Sequence, residues 1–185
     1  PEDTWIDIVD FNQFLVDSNI DKIDQSVLQE ILEKTVNVSK REIRGQYATP
    51  SILADLLSRI TVDDWNKECA DLCAGTGTIA KAIIRNKTKR LATAEQAFIS
   101  TWMSDKYAYP LQIANISITD IQAINIPLNM FQSDVFSVNV GDEIKIKSPI
   151  DGSEIKKIIP KFGAIISNLP FVEYNKIAMD EQEFI

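Results

Sequence analysis

The sequence predicts an α/β fold with a parallel sheet, on three observations. Short apolar segments typical of strands alternate with segments whose apolar residues recur at helical spacing. A Gly-x-Gly turn joins the first of these strands to a helix, over residues 71–83. An acidic residue ends each of the first three strands, at the edge where open parallel sheets bind ligands. We therefore expect right-handed crossovers and a ligand site at the carboxyl edge of the sheet.

The composition indicates one globular domain with a small appendage. The chain has 185 residues, of which 45% are hydrophobic and 25% are charged. No apolar run approaches the ~20 residues that cross a bilayer, and the acidic start lacks the basic region of a signal peptide. We therefore predict a cytoplasmic protein that does not contact a membrane. The net charge of −8 argues against a free-standing nucleic-acid-binding protein, whose binding surface is normally basic.

The residues available for chemistry exclude two common kinds of site. The sequence has no histidine, and its two cysteines, Cys69 and Cys73, have no second pair. A thiol–imidazole zinc site and histidine-based acid–base catalysis are therefore excluded. We expect both cysteines to be buried and reduced rather than joined in a disulfide.

The chain begins with apolar residues at helical spacing, which predict a helical lead-in over residues 1–44. Gly45 interrupts this pattern, and Thr49-Pro50 is expected to cap and start the next helix. The apolar face predicted for that helix consists of Ile52, Leu53, Leu56 and Leu57.

Four segments are predicted as strands: 68–74, 98–104, 129–134 and 162–168. Helical patterns separate the first three. Residues 139–160 depart from this alternation, because two strand-like runs flank a Pro-Ile-Asp-Gly turn, and they predict a β-hairpin insertion. Four parallel strands would leave a hydrophobic edge uncovered, so we infer that the chain is the first part of a longer protein.

The glycine turn favours a positively charged ligand over a phosphate. Asp71 lies four residues before Gly75, at the end of the first strand. Ala80 stands where a nucleotide-binding turn would have its third glycine, and no Lys-Ser/Thr follows. Asp105, after the second strand, is placed to accept hydrogen bonds from ribose hydroxyls, and Asp134, after the third, to reach an adenine amino group. The alternative for each acid is an ordinary turn or cap residue.

Four segments in this order, GQYATP (45–50), DLCAGTGTIA (71–80), QSDVF (132–136) and SNLPF (167–171), resemble the amino-adenine DNA methyltransferases. The likeness covers residues 40–175 and is closest to the modification subunits of type I and related restriction-modification systems. It implies a Rossmann-like class I S-adenosylmethionine-dependent methyltransferase fold over residues 45–185, without its C-terminal part. It further implies S-adenosylmethionine as cofactor, DNA with a flipped adenine as substrate, and specificity and restriction subunits or domains as partners.

The resemblance also implies roles for individual residues. Cofactor-binding roles fall on Tyr47, Thr49, Pro50, Asp71, Cys73, Ala74, Gly75, Gly77, Asp105 and Asp134. The catalytic segment is Asn168, Leu169, Pro170 and Phe171. In it, the Asn168 side-chain carbonyl and the Leu169 backbone carbonyl would accept hydrogens of the adenine amino group, a poor nucleophile because its lone pair is delocalised. Pro170 would stiffen the turn and Phe171 would stack on the extruded base. Catalysis would then be orientation and electrostatics, without a metal.

Two positions depart from the family pattern and keep alternatives open. Leu169 replaces the first proline, and enzymes that dimethylate adenines in ribosomal RNA carry a similar Asn-Leu/Ile-Pro-aromatic segment. The ribose-binding acid can sit two residues earlier in the family, where this chain has Met103. The open alternatives are an RNA adenine methyltransferase, a protein glutamine methyltransferase and a non-catalytic relative. The hairpin lysines at 145, 147, 156 and 157 either contact phosphates or form a solvated face.

Overall fold

The computed structural model describes residues 48–91, 93–119 and 124–170, together with Gln13, Asp17, Val27 and Gln29. Apart from those four residues, the predicted helical lead-in lies outside the described part of the chain. The helices in the described ranges are α1 (Ser51–Thr61), α2 (Thr78–Thr88), α3 (Ala94–Ile99) and α4 (Ala108–Ile118). The strands are β1 (Cys69–Asp71), β2 (Thr101–Asp105), β3 (Asn129–Gln132), β4 (Glu143–Lys147), β5 (Glu154–Ile158) and β6 (Ala164–Ile165).

The main sheet has four parallel strands in the order β3-β2-β1-β6. The chain moves outward from β1 through β2 to β3 and then returns to the other side of β1. The strand order therefore reverses between β1 and β6, and open α/β sheets bind their ligands in the crevice at such a switch point. The predicted α/β fold with a parallel sheet is confirmed, and its order is that of part of a Rossmann-like fold.

The two faces of the sheet are covered differently. Cys69 and Asp71 pair with Thr101 and Met103, so these side chains share one face. The helices lie on that face, where Met103 packs among buried residues of α2, α3 and α4. The other face carries a second apolar cluster of Ala70, Leu72, Trp102, Phe131 and Ile159, with Val138 and Ile144 against it. The chain between β3 and β6 therefore covers the face that the described helices leave open.

Strands β4 and β5 form the antiparallel hairpin that residues 139–160 predict. A polar contact attaches the hairpin to the sheet, because Lys157 Nζ donates to Asn129 Oδ1 at 2.7 Å. Asn129 is fully buried and donates in turn from Nδ2 to the carbonyl of Ile99 at 2.6 Å. Burial lowers the pKa of Lys157, as expected for an ammonium held against the sheet.

Several predicted boundaries are wrong in detail. The strands are shorter than predicted, and Phe98 and Ile99 belong to α3 rather than to β2. The reason is local: Thr93 Oγ1 accepts a hydrogen bond from Gln96 N at 3.2 Å, which starts a helix that runs through Ile99. The predicted cap of α1 also differs, since Pro50 is the N-cap residue and no side chain caps that helix.

The apolar face predicted for α1 is not the face that α1 buries. Ile52 is 86% exposed, Leu56 is 53% exposed and Leu53 is also exposed, while Leu57 is half-buried against the core. The buried residues of α1 are Ala54 and Ser58.

Close packing of α1 against α2 explains this difference. Ala54 and Ser58 are small enough to let the two helices approach, and Asn86 of α2 donates from Nδ2 to Ser58 Oγ at 2.8 Å. The same amide donates to Asp55 Oδ1 at 2.9 Å, and Arg85 pairs with that carboxylate at 2.6 Å. These polar contacts thus decide which face of α1 is buried. The apolar periodicity of its sequence does not predict that face.

Both cysteines carry free thiols; Cys69 is buried and Cys73 is half-buried, so the expectation of reduced cysteines is met. Within the described ranges, none of the helices has the length and apolar surface that crossing a bilayer requires.

Candidate functional site

The glycine loop after β1 contains two glycines with different tasks. Gly75 and Gly77 have φ of 53° and 88°, a left-handed conformation that strains other residues. A Cβ atom on Gly77 would lie 2.8 Å from Cβ of Ala114 and 3.0 Å from Cδ1 of Ile118, so Gly77 also permits α4 to pack on the loop. A Cβ atom on Gly75 would meet nothing within 4 Å. Gly75 is therefore required for its backbone conformation and leaves space beside the loop.

The carboxyl end of strand β2 is hydrogen-bonded to this glycine loop. Ala74 N donates to the carbonyl of Ser104 at 2.8 Å, and Gly75 N donates to Asp105 Oδ2 at 2.9 Å. The other oxygen of the buried Asp105 carboxylate accepts from Tyr107 N at 2.9 Å. Asp105 therefore fixes the glycine loop, a role that the sequence did not indicate. Its role towards a ribose stays a prediction.

Asp71 is a buried carboxylate with an unused acceptor. The residue is 1% exposed, and Oδ1 accepts a weak hydrogen bond from Cys73 N at 3.4 Å. Oδ2 has no hydrogen-bond partner among the residues that the structure describes. Burial raises the pKa of Asp71 to about 7, with a further increase from the Asp105 charge and opposing effects from Ser167 and the Cys73 amide. A carboxylate in this state is stabilised by an incoming cation or hydrogen-bond donor.

Cys73 stands beside this acid and is unsuited to nucleophilic chemistry. Burial, followed by the charges of Asp71, Asp105 and Asp134, raises the pKa of its thiol to about 11. The thiol therefore stays protonated near neutral pH, whereas nucleophilic cysteines have a lowered pKa. Any contact of Cys73 with a ligand is one of packing or of its backbone.

Asp71 and Asn168 line the same small cavity, at the switch point between β1 and β6. Its volume is about 40 Å³, and its remaining lining residues are Ala48, Thr49, Cys73, Ala74, Gly75, Thr76, Thr78 and Ile79. Whole cofactors occupy pockets of roughly 300 Å³ or more. The cavity is therefore large enough for one polar end of a cofactor, and the remainder would extend along the carboxyl edge of the sheet.

The segment after β6 is tied to β1 and to the segment before α1. Ile166 N donates to the carbonyl of Ala70 at 2.8 Å, and Leu72 N donates to Ser167 Oγ at 2.9 Å. Asn168 Nδ2 donates to Thr49 Oγ1 at 3.2 Å. These contacts place the amide of Asn168 at the cavity.

Asp134 follows β3 but does not line the cavity. Its Oδ1 accepts from Phe136 N at 3.1 Å, which caps a 3-10 helix over Val135–Ser137, and its Oδ2 lies 3.4 Å from Lys106 Nζ. The carboxylate remains 37% exposed. Ser133 N donates to the carbonyl of Asp105 at 3.0 Å, so the ends of β2 and β3 are adjacent. Asp134 therefore lies further along the same carboxyl edge.

The predicted site residues divide into three groups. Those that line the cavity are Thr49, Asp71, Cys73, Ala74, Gly75 and Asn168. Those described but outside its lining are Pro50, Gly77, Asp105, Asp134, Leu169 and Pro170. Tyr47 and Phe171 lie outside the described residues.

Sequence reasoning missed Ser167, Thr76 and Thr78, although all three belong to the two segments that it singled out. Their hydroxyl side chains, within those two segments, could have marked them as hydrogen-bonding residues of the site. It also missed Gln29, for which the sequence offers no local signal.

The hairpin lysines are engaged within the protein. Lys145 and Lys147 pair with Glu154 at 2.9 and 3.4 Å, and Lys156 pairs with Glu143 at 2.8 Å. Lys157 donates to Asn129, as described above. This pairing favours a solvated hairpin face over a phosphate-binding surface. Across the described ranges, the structure contains no group of three or more acidic, cysteine or histidine side chains placed to hold a metal ion.

Comparison with known proteins gives a fold likeness and no family. No protein-family model and no curated protein matches the sequence. Among solved structures, the chain is similar to one described as a cryo-EM structure of a DrdV–DNA complex, with 22% sequence identity and a TM-score of 0.45. The match covers 55% of this chain and 12% of that chain. A likeness of this size carries no conclusion about what this chain binds or does.

Proposed function

We propose that this chain forms the cofactor-binding part of a site-specific DNA methyltransferase, which transfers a methyl group from S-adenosylmethionine to N6 of adenine within a restriction-modification system. One observation carries the proposal: Asp71, whose buried Oδ2 has no hydrogen-bond partner among the described residues, lines the same cavity as Asn168. An acceptor for a cation and an amide for an amino group thus share one small space.

The charges at the cavity support a cationic ligand. Asp71 and Asp105 flank the glycine loop, so a pyrophosphate placed there would meet two acidic side chains. The amino-acid end of S-adenosylmethionine brings an ammonium for Asp71 Oδ2, a group small enough for a cavity of about 40 Å³. The amide groups at the start of α2 suit its carboxylate. Asp105 and Asp134 lie where the ribose and adenine would follow along the edge.

The described residues suit methyl transfer to an amino group. When bound, S-adenosylmethionine would supply an activated methyl group on a sulfonium. Asn168 Oδ1 and the Leu169 carbonyl would accept the two hydrogens of the target amino group, favouring a pyramidal, more nucleophilic nitrogen. Thr49 Oγ1 accepts a hydrogen bond from Asn168 Nδ2, so Oδ1 of the same amide points away from the Thr49 hydroxyl. The chain would contribute orientation and fixed dipoles.

Leu169 supports a second candidate, a methyltransferase for RNA adenine or for a protein glutamine. The backbone carbonyl of residue 169 would accept a hydrogen of the target amino group whichever side chain stands there. A glutamine amide presents the same –NH₂ group as adenine. The net charge of −8 is compatible with a DNA or RNA substrate if phosphate contacts and base reading belong to other domains or subunits. A protein substrate makes no such demand.

Calorimetric titration with S-adenosylmethionine, with NAD and ATP as controls, tests the cofactor. We expect binding of S-adenosylmethionine alone; binding of NAD or ATP instead would contradict the proposal. The full-length protein is then supplied with labelled S-adenosylmethionine and adenine-containing DNA, RNA or a glutamine peptide. N6-methyladenine in DNA is the expected product, and label in only the RNA or the peptide would select the second candidate.

A further inference from the structure

A residue far from the glycine loop in sequence contacts the loop. Gln29 Nε2 lies 3.2 Å from the carbonyl oxygen of Thr76 and 3.2 Å from Thr76 Oγ1. It also lies 3.4 Å from Oγ1 of Thr78, the first residue of α2. Gln29 is helical and half-buried, and 47 positions separate it from Thr76. Its amide therefore links a helical residue of the N-terminal segment to the glycine loop.

The position of Thr76 makes this contact consequential. Thr76 stands between Gly75 and Gly77, both left-handed and both flexible in the absence of restraint. Ser117 Oγ of α4 lies 3.3 Å from the same Thr76 carbonyl and 3.1 Å from the carbonyl of Ala114, so its single hydrogen is shared between these two acceptors. The Thr76 carbonyl thus lies within hydrogen-bond distance of Gln29 and of Ser117, and Gln29 approaches it with an amide that is not shared with the Ala114 carbonyl.

Gln29 contacts residues that line the cavity but does not line the cavity itself. Thr76 and Thr78 line the cavity with Asp71, whereas Gln29 does not. Fixing the Thr76 peptide also fixes the direction of the neighbouring amide groups, including that of Gly77, which donates to the Ala74 carbonyl at 2.8 Å. Any effect of Gln29 on a ligand therefore acts through the glycine loop.

We propose that Gln29 is a positioning residue of the cofactor site, whose amide holds Thr76 so that the glycine loop is ordered before S-adenosylmethionine binds. The inference rests on the proposed function for the identity of the ligand. It assigns to a residue of the N-terminal segment a part in cofactor affinity, in addition to the residues of the α/β core.

The expected effect of removing the amide is moderate. One partly buried hydrogen-bonding group is lost, while Asp71, Asp105 and Ser117 remain in place, so affinity for S-adenosylmethionine should fall about three- to tenfold. Gln29→Glu should have a larger effect than Gln29→Ala, because an ionised carboxylate cannot donate to the Thr76 carbonyl and is repelled by it.

The test compares Gln29→Ala and Gln29→Glu with Gln13→Ala as a matched control. Gln13 donates from Nε2 to Asp17 Oδ1 at 2.8 Å in an exposed helical pair, so it has the same chemistry away from the loop. Hydrogen exchange of a peptide covering residues 72–80 is measured without ligand, with a peptide of β2 as internal reference. Calorimetry then gives the affinity for S-adenosylmethionine.

We expect faster exchange at the loop and weaker binding in both Gln29 variants, with neither change in Gln13→Ala and none in the β2 peptide. Unchanged loop exchange, or unchanged affinity despite faster exchange, would overturn the inference. If the wild-type chain binds no S-adenosylmethionine but Gln29→Ala still speeds loop exchange, the proposed function and the cofactor part of the inference fail, and only the ordering of the loop by Gln29 is upheld.

Discussion

Asn168 donates from Nδ2 to Thr49 Oγ1 at 3.2 Å, across 119 positions of sequence. The bond joins two segments to which the sequence analysis gave separate tasks, one at the cofactor and one at the target base. Thr49 and Asn168 both line the cavity, so the bond joins two residues of the same candidate site.

Thr49→Val should therefore impair methyl transfer more than cofactor binding. Valine keeps the shape of threonine but has no acceptor for Asn168 Nδ2, so the amide is less well oriented. We expect the single-turnover rate of the full-length protein to fall roughly tenfold, the effect of about one hydrogen bond. Thr49→Ser should restore the rate. A loss of cofactor affinity that matches the loss of rate would contradict the orienting role.

Asn168→Ala should abolish methyl transfer by the full-length protein and preserve binding of S-adenosylmethionine. The side-chain carbonyl is one of two proposed acceptors for the target amino group, and the loss of one such group typically costs about 100-fold or more in rate. Asn66→Ala, at an exposed asparagine outside the cavity, is the control. Equal losses of binding and transfer would show that Asn168 serves the cofactor.

The pH dependence of stability should reveal the buried Asp71. Its pKa is raised to about 7, so between pH 4 and pH 7 the folded chain keeps a proton that the unfolded chain loses. This contribution is present in full below pH 4 and is lost as pH rises through 7, by as much as roughly 4 kcal/mol. In urea unfolding, the free energy of unfolding of Asp71→Asn relative to that of the wild type should therefore increase as pH rises from 4.5 to 8. A difference that does not change with pH would contradict this.

Cofactor affinity should depend on pH through the same carboxyl. The ammonium of S-adenosylmethionine requires Asp71 ionised, whereas burial favours its protonated form below pH 7. Affinity should fall as pH is lowered from 7.5 to 5.5, by up to roughly tenfold per unit. Binding at pH 6.5 should release a proton, which calorimetry in buffers of different ionisation enthalpy detects. Proton uptake would contradict the prediction.

The two glycines of the loop should respond differently to alanine. Both substitutions strain a left-handed residue, at a cost of about 1 kcal/mol. Gly77→Ala additionally places a Cβ atom 2.8 Å from Cβ of Ala114, so its total should reach about 3 kcal/mol in urea unfolding. Gly75→Ala meets open space and should lower the free energy of unfolding by the strain alone. Equal losses would show that α4 adjusts without cost.

The sequence by itself determined the alternation of strands and helices, the glycine turn after β1 and the hairpin. Each of these follows from local rules: apolar periodicity, the need for glycine at positive φ, and turn residues between strand-like runs. Asp71 could also be singled out, because it ends β1 and strand ends meet at one edge of a parallel sheet. Asn168 lies three residues beyond β6 and was singled out by the resemblance of its segment to the methyltransferases.

Only the tertiary structure decided which of these residues share a cavity. The return of β6 beside β1 brings Asn168 to Asp71, while Asp105 bonds to Gly75 and the exposed face of α1 carries Ile52. Contacts between residues far apart in sequence depend on which surfaces pack and which polar groups find partners, and local propensity carries neither kind of information. The contact of Gln29 with the glycine loop could not be predicted for the same reason.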